Sequence, residues 1–310
     1  MKSLLLYFAF ICSIQLKSQQ LPKVLAGEIV RIDKFKSEFV TARNIDIWLP
    51  KDYNNQKKYS VLYMHDGQGL FDSTITWNHQ AWDVDDILSD LNSQHKITDV
   101  IVVGIWNGGN TRHADYFPQK PFEKLMQNEK DSVSMVLKLA GRTNEDFQPQ
   151  SDNYLKFIVS ELKPYIDRTF SVHTNQENTF IGGSSMGGLI SMYAVCEYPN
   201  IFGGAACIST HWIGTFNSKN NPIPQTFLNY LNEKLPDPKN HKLYFDCGDQ
   251  TLDAFYPPIQ RQVDQLMLQK GYSKNNWLTI YKPGADHSEK SWKSRLNIPM
   301  TFLLSNQNPK

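Results

Sequence analysis

From Tyr59 onward the chain alternates between two hydrophobic rhythms. Short, unbroken apolar runs recur at Val61 to Met64, Val100 to Ile105, Thr179 to Ile181, Gly204 to Ile208, Leu243 to Phe245 and Leu278 to Tyr281. Runs of this length with no polar alternation suit strands covered on both faces, as in a mostly parallel sheet. Between them, apolar residues return every third or fourth position. Leu155, Ile158, Val159, Leu162, Tyr165 and Ile166 make one such stripe, and Ile259, Val263, Leu266 and Met267 another. Stripes of this kind are the packing faces of helices. Before Tyr59 the pattern reads as β alone, over Gly27 to Val40 and Ile45 to Leu49, closed by the turn signal Asp52-Tyr53-Asn54-Asn55. Alternating βα units predict an α/β fold whose site lies at the carboxyl ends of the strands.

Two stretches depart from this rhythm. Residues 106–150 carry polar and charged residues with weak periodicity, and they read as a long insertion, a lid or a mobile loop. At the N-terminus, Lys2 precedes the mostly apolar Leu4 to Leu16, and Lys17-Ser18-Gln19-Gln20 turns polar. That is the layout of a signal peptide cleaved near Ser18, and the apolar run is too short for a comfortable membrane span. The reading is therefore residues 1–18 as signal peptide and 19–310 as one domain in a secreted or periplasmic protein, with no membrane span left after cleavage. After Cys12 is removed, Cys196, Cys207 and Cys247 remain, all in apolar surroundings, and an odd number leaves at least one unpaired. They read as buried small hydrophobes, without the paired spacing of a zinc site. Lys and Arg number 32 against 31 Asp and Glu, so the basic excess of a nucleic-acid binder is absent.

The chemistry enters at Gly183-Ser184-Ser185-Met186-Gly187, a G-x-S-x-G pattern set between the run at Thr179 and the apolar Leu189 to Val195. A serine on a sharp turn between strand and helix stands clear of the sheet, and glycines two positions to either side remove side chains that would clash. Ser185 is thus the candidate nucleophile of an α/β-hydrolase fold. The Met186 N–H, at the start of the helix, is a candidate oxyanion donor. The base should follow the last strand, where Lys282-Pro283-Gly284-Ala285-Asp286-His287 offers His287. The acid should follow the preceding strand. Asp246 falls within that strand, too early to reach across. Asp253, just before the next helix, is favoured over Asp249, and whichever is not used serves as a turn or capping residue. A second oxyanion N–H is expected from the loop His65-Asp66-Gly67-Gln68-Gly69, with Gln68 donating through its main chain. His65 and Asp66 lack a third ligand at suitable spacing and read as structural. Trp106 and Trp212, after strands or in the insertion, are candidate linings of an acyl or sugar pocket.

These segments together resemble the putative-esterase family, which includes esterase D, enterobactin-type siderophore esterases, feruloyl and acetylxylan esterases and mycolyltransferases. The likeness rests on Tyr63 to Phe71, Ala81-Trp82-Asp83-Val84, Val102-Val103-Gly104-Ile105, Phe180 to Gly188 and Gly284-Ala285-Asp286-His287, and spans about residues 25–305. It implies a Ser-Asp/Glu-His triad mapping onto Ser185 and His287, with oxyanion donors at Met186 and Gln68. The acid maps less cleanly: some relatives place it where this chain has Thr251, while the count back from the following helix supports Asp253. The resemblance implies a serine esterase working through an acyl-enzyme, without metal or organic cofactor, and the signal peptide makes it a secreted one. The expected partner is a small-molecule or oligosaccharide ester, first of all a carbohydrate-linked acetyl or feruloyl ester. The other readings are a siderophore trilactone esterase, an acyltransferase on the same triad, and a non-catalytic binding protein on this fold.

Overall fold

A computed structural model of the protein describes residues 20–305, so the expected signal peptide at 1–18 lies outside the described residues. Eight strands form one sheet in the order β1-β2-β4-β3-β5-β6-β7-β8. They are β1 (Glu28–Phe35), β2 (Arg43–Leu49), β3 (Ser60–His65), β4 (Val100–Ile105), β5 (Thr179–Ser184), β6 (Gly204–Ile208), β7 (Lys242–Cys247) and β8 (Trp277–Tyr281). The first two strands run antiparallel, and β3 to β8 are mutually parallel. This is the α/β-hydrolase arrangement, and each apolar run from Val61 onward falls in a strand.

The pleat explains why those runs are continuous. Val61 and Tyr63 join one core cluster, whereas Leu62 and Met64 join the other. Each face of the sheet is covered by helices, so both sets of side chains are buried. Helix α1 (Val84–Ser93) and α11 (Asn297–Leu304) pack on one face; α7 (Met186–Glu197) belongs to the core on the other. Helix α7 is buried from Met186 through Cys196, which is why its sequence shows no polar face.

Three expectations change at this level. The first β segment is shorter than Gly27 to Val40: β1 stops at Phe35, and Phe39 and Val40 turn in to pack against the core. The stripe from Leu155 to Ile166 is not one regular helix. It is α5 (Ser151–Phe157) and α6 (Lys163–Thr169), joined by a π-helical turn at Ile158–Leu162. The insertion is no open loop. It folds into α2 (Arg112–Tyr116), α3 (Gln119–Glu123) and α4 (Gln127–Leu139). Tyr116, Phe117, Phe122, Val133, Leu137 and Phe147 are buried in the main core. Helices as short as α2 and α3 complete little more than one turn, so no periodicity accumulates for a sequence reading to detect. The remaining helices are α8 (Ile223–Lys234), α9 (Pro257–Gln269) and α10 (Glu289–Lys293). Cys196, Cys207 and Cys247 are buried and free. No helix among the described residues is long and apolar enough to cross a membrane.

Candidate active site

Ser185 sits between β5 and α7 with φ 57° and ψ −120°. A non-glycine residue at positive φ is strained, and the neighbouring backbone holds this one in place. The Ser185 N–H donates to the Ile208 carbonyl at 2.9 Å, and its own carbonyl accepts from the N–H groups of Leu189 (3.1 Å) and His211 (3.2 Å). The flanking glycines have a steric reason. A Cβ on Gly183 would lie 3.0 Å from the main chain of Gly187, and one on Gly187 would lie 3.3 Å from the His65 Cβ. Strand, turn and helix can approach only because both positions lack side chains. Met186 is the first residue of α7, so its N–H has no partner inside the helix.

His287 lies in the loop after β8. Its Nδ1 is 2.5 Å from Asp253 Oδ1, and its ring packs edge-on against Trp292 and Tyr256, with centroids 5.0 and 5.8 Å away. Its backbone N–H donates to Thr251 Oγ1 at 2.9 Å. Asp253, in the 3-10 turn Thr251–Phe255, is fully buried, and its other oxygen accepts from the Gly248 N–H at 2.6 Å and the Ser209 hydroxyl at 2.7 Å. Asp249 is placed elsewhere. Its exposed carboxylate accepts from the Tyr281 hydroxyl (2.7 Å) and from the Gly284 N–H and Gln250 amide (2.8 Å each), tying the two loops together. The Tyr281 hydrogen bond foremost holds the Asp249 carboxyl below its usual range.

Gln68 is in the turn Gly67–Gly69 that follows β3. Gly67 presses on the β4 strand so closely that a Cβ would fall 2.5 Å from the Gly104 carbonyl carbon. Asp66, at φ 57°, starts this turn and is gripped by the insertion. Arg112 of α2 donates to both of its carboxylate oxygens, Nε at 2.7 Å and Nη2 at 2.8 Å, and the Asn107 amide adds a third bond at 2.7 Å. Burial opposes the charge on Asp66, but Arg112 and Asn107 outweigh it and hold the carboxyl below its usual range. His65 is buried with Nδ1 2.8 Å from the Tyr154 hydroxyl, and burial pushes it down to about 3. Both residues therefore brace the turn that carries Gln68.

One expectation about the pocket is corrected. Trp212 is only 1% exposed; its indole donates to Gln260 Oε1 at 2.8 Å and its ring faces Phe245, so it is a core residue. Trp106 lies half-buried at the carboxyl end of β4, where it donates to Asp46 Oδ2 at 2.8 Å beneath the Arg31 guanidinium. The residues beside Ser185 are different ones. Tyr256, whose hydroxyl is 2.7 Å from His211 Nδ1, lies close to the Ser185 side chain. The half-exposed Phe216 packs against His211 and His113, with Arg142 over its face. Burial holds both imidazoles below their usual range, His113 at about 3, so this wall is aromatic and neutral next to a guanidinium. The sequence held one usable signal for Tyr256: it directly precedes α9, three residues after Asp253, within reach of the same turn.

The chain is 22% identical over 256 residues to the uncharacterized protein YbbA of Bacillus subtilis, covering 80% of this chain and 87% of that protein. It is 24% identical over 237 residues to the endo-1,4-beta-xylanase/feruloyl esterase of Xylanibacter ruminicola, covering 72% of this chain but 25% of that longer protein. Among solved structures, a ferulic acid esterase superposes with a TM-score of 0.62 at 19% identity, covering 89% of this chain and 97% of its own. The enterobactin esterase of Shigella flexneri superposes with a TM-score of 0.63 at 17% identity, covering 91% and 60%. At these identities the structural likeness speaks for the fold. A family model described as "Putative esterase" matches residues 37–300, a span running from the loop before β2 into α11, and the chain belongs to that family of esterases.

Proposed function

We propose that the protein is a serine esterase working through an acyl-enzyme, with Ser185 as nucleophile, His287 as base and Asp253 as acid. The observation that carries this reading is the 2.5 Å bond between His287 Nδ1 and the buried Asp253, taken with a serine held at φ 57° on its turn. Asp253 keeps the proton on Nδ1, which leaves Nε2 free to accept one. Ser185 Oγ attacks the ester carbonyl carbon while His287 Nε2 takes its proton. The negative charge passes to the carbonyl oxygen, which the N–H groups of Met186 and Gln68 receive. As the alcohol–carbon bond breaks, the imidazolium returns its proton to the leaving oxygen. Water then enters by the same route in reverse, releasing the acid and free Ser185.

The substrate we propose is a carbohydrate-linked acetyl or feruloyl ester, met outside the cytoplasm after export. The feruloyl esterase relatives in sequence and fold support this, as does the aromatic wall at Phe216. A fluorophosphonate probe is expected to add once per chain, at Ser185, and the Ser185→Ala variant to lose both labelling and p-nitrophenyl acetate hydrolysis. Equal hydrolysis by Ser185→Ala and the parent would reject Ser185. Faster turnover of an enterobactin-like trilactone than of feruloylated or acetylated xylo-oligosaccharides would overturn the substrate reading. Ester products on added sugar or alcohol acceptors, in place of free acid, would make the enzyme a transferase.

A further inference from the structure

The buried carboxylate of Asp253 is itself held from behind by a chain of groups that the triad does not contain. Its Oδ2 accepts from the Ser209 hydroxyl at 2.7 Å. Ser209 Oγ in turn receives Arg295 Nη2 at 2.8 Å and the Trp292 indole N–H at 3.0 Å. A hydroxyl has two lone pairs and one proton. With both lone pairs facing N–H donors, the single proton can go only to Asp253. Arg295 is fixed in its turn by a two-pronged pair with Asp246, Nε to Oδ2 and Nη2 to Oδ1 at 3.0 Å each, and by the Ser291 carbonyl at 3.0 Å. Asp246 also accepts from the Ser209 backbone N–H at 2.9 Å and from the Tyr244 hydroxyl at 2.8 Å. Ser209 is held at φ 41°, a left-handed conformation that costs energy in a non-glycine residue. Ser209, Asp246 and Asp253 have no exposure, and Arg295 has 1%.

A buried ion pair is weak evidence of stability for its own sake, because desolvation offsets the attraction. Here the pair delivers a guanidinium N–H to one hydroxyl, and that hydroxyl to one carboxylate oxygen. We propose that Arg295 is a positioning residue for the reaction, acting through the Ser209 hydroxyl to fix the rotation of the Asp253 carboxylate so that Oδ1 alone faces His287. Arg295 touches neither Asp253 nor His287 by hydrogen bond in this arrangement, and Asp246, although at the end of a strand beside the site, serves as the anchor of Arg295. The proposal rests on the triad reading given above.

The test uses the full mature enzyme and the variants Ser209→Ala, Arg295→Lys, their combination, and Asp253→Asn as reference. Ser209→Ala keeps the Arg295–Asp246 pair, so it is expected to fold. Its kcat should fall about tenfold to a hundredfold with KM within about twofold, the signature of an interaction that matters in the transition state. Its downfield proton resonance from the His287–Asp253 hydrogen bond should move or broaden. Arg295→Lys retains a charged donor and should lose less than Ser209→Ala. In the double variant the losses should not add, because both act along one path. Parent-like kcat and proton resonance in folded Ser209→Ala, or additive losses in the double variant, would overturn the proposal. Full activity in Asp253→Asn would instead overturn the triad reading beneath it.

Discussion

Replacing Asp253 with asparagine is expected to disable the enzyme through the orientation of one amide group. Two donors converge on Oδ2 of Asp253, the Gly248 N–H at 2.6 Å and the Ser209 hydroxyl at 2.7 Å. An asparagine must point its carbonyl oxygen at both, since its NH2 group would otherwise meet two donors in a fully buried site. The NH2 is then left 2.5 Å from the position of His287 Nδ1. There it donates, so Nδ1 becomes the acceptor and the ring proton moves to Nε2, the atom that must take the Ser185 proton. The fold retains both hydrogen bonds on the other side, so the melting temperature should change little. A wrong tautomer of this kind costs about 10⁴ in kcat in serine-protease triads, or ~5.5 kcal/mol of activation free energy. The assay is p-nitrophenyl acetate turnover at saturating substrate, with fluorophosphonate titration to count competent sites. Asp249→Asn is the control, because that carboxylate only ties exposed loops, and it should stay within about threefold of the parent. A loss of less than about tenfold in Asp253→Asn, or a larger loss in Asp249→Asn, would refute the reasoning.

Tyr256→Phe removes the hydroxyl that faces His211 and leaves the His211 Nδ1 buried without a partner. It should lower stability by about 1–3 kcal/mol in urea unfolding while keeping measurable turnover, since Tyr256 is not the base. Arg112→Met should reduce kcat by about tenfold or more, measured on the same ester, because Asp66 loses the grip that holds the Gln68 turn. Arg112→Met should also change the acid response. Asp66 is depressed in the folded state, so its contribution is present above the unfolded value and is lost as pH falls through the folded one; the variant's melting temperature should decline less as pH falls below the ordinary aspartate value of 3.8. His113 has a folded value of about 3 against an ordinary 6.5, so the unfolded chain binds the extra proton across that window and stability falls as pH drops from 6.5 toward 3. His113→Phe should flatten that part of the melting curve against pH, by at most about 1.4 kcal/mol per pH unit.

The parallel strands were legible because burial on both faces leaves no room for polar alternation, and the turn at Ser185 because its glycines answer a steric demand that the structure puts at 3.0 Å. The position of His287 followed from chain order alone. The choice between Asp253 and Asp249 was harder, since both follow β7 by a few residues. What separates them is the direction of a 3-10 turn, which buries Asp253 and leaves Asp249 facing Tyr281. Trp212 misled because strand ends are shared by the site and the core, and only packing tells it apart from a pocket wall. Ser209 and His211 carry no spacing signal of their own, and Tyr256 has only its place three residues after Asp253. They meet because β6, β7 and β8 end side by side, a relation between distant segments that local pattern does not encode.

Arg112 gives the insertion a consequence for protein engineering. Residues 106–150 look like a removable module, grafted between β4 and α5, yet the guanidinium that clasps Asp66 is part of it. A chimera that trades this segment for a shorter loop would carry Ser185, His287 and Asp253 unaltered and is still expected to be a poor catalyst, because the turn bearing Gln68 would lose its outside brace. Keeping the cation, or replacing Asp66 together with it, is the condition under which such a graft can succeed.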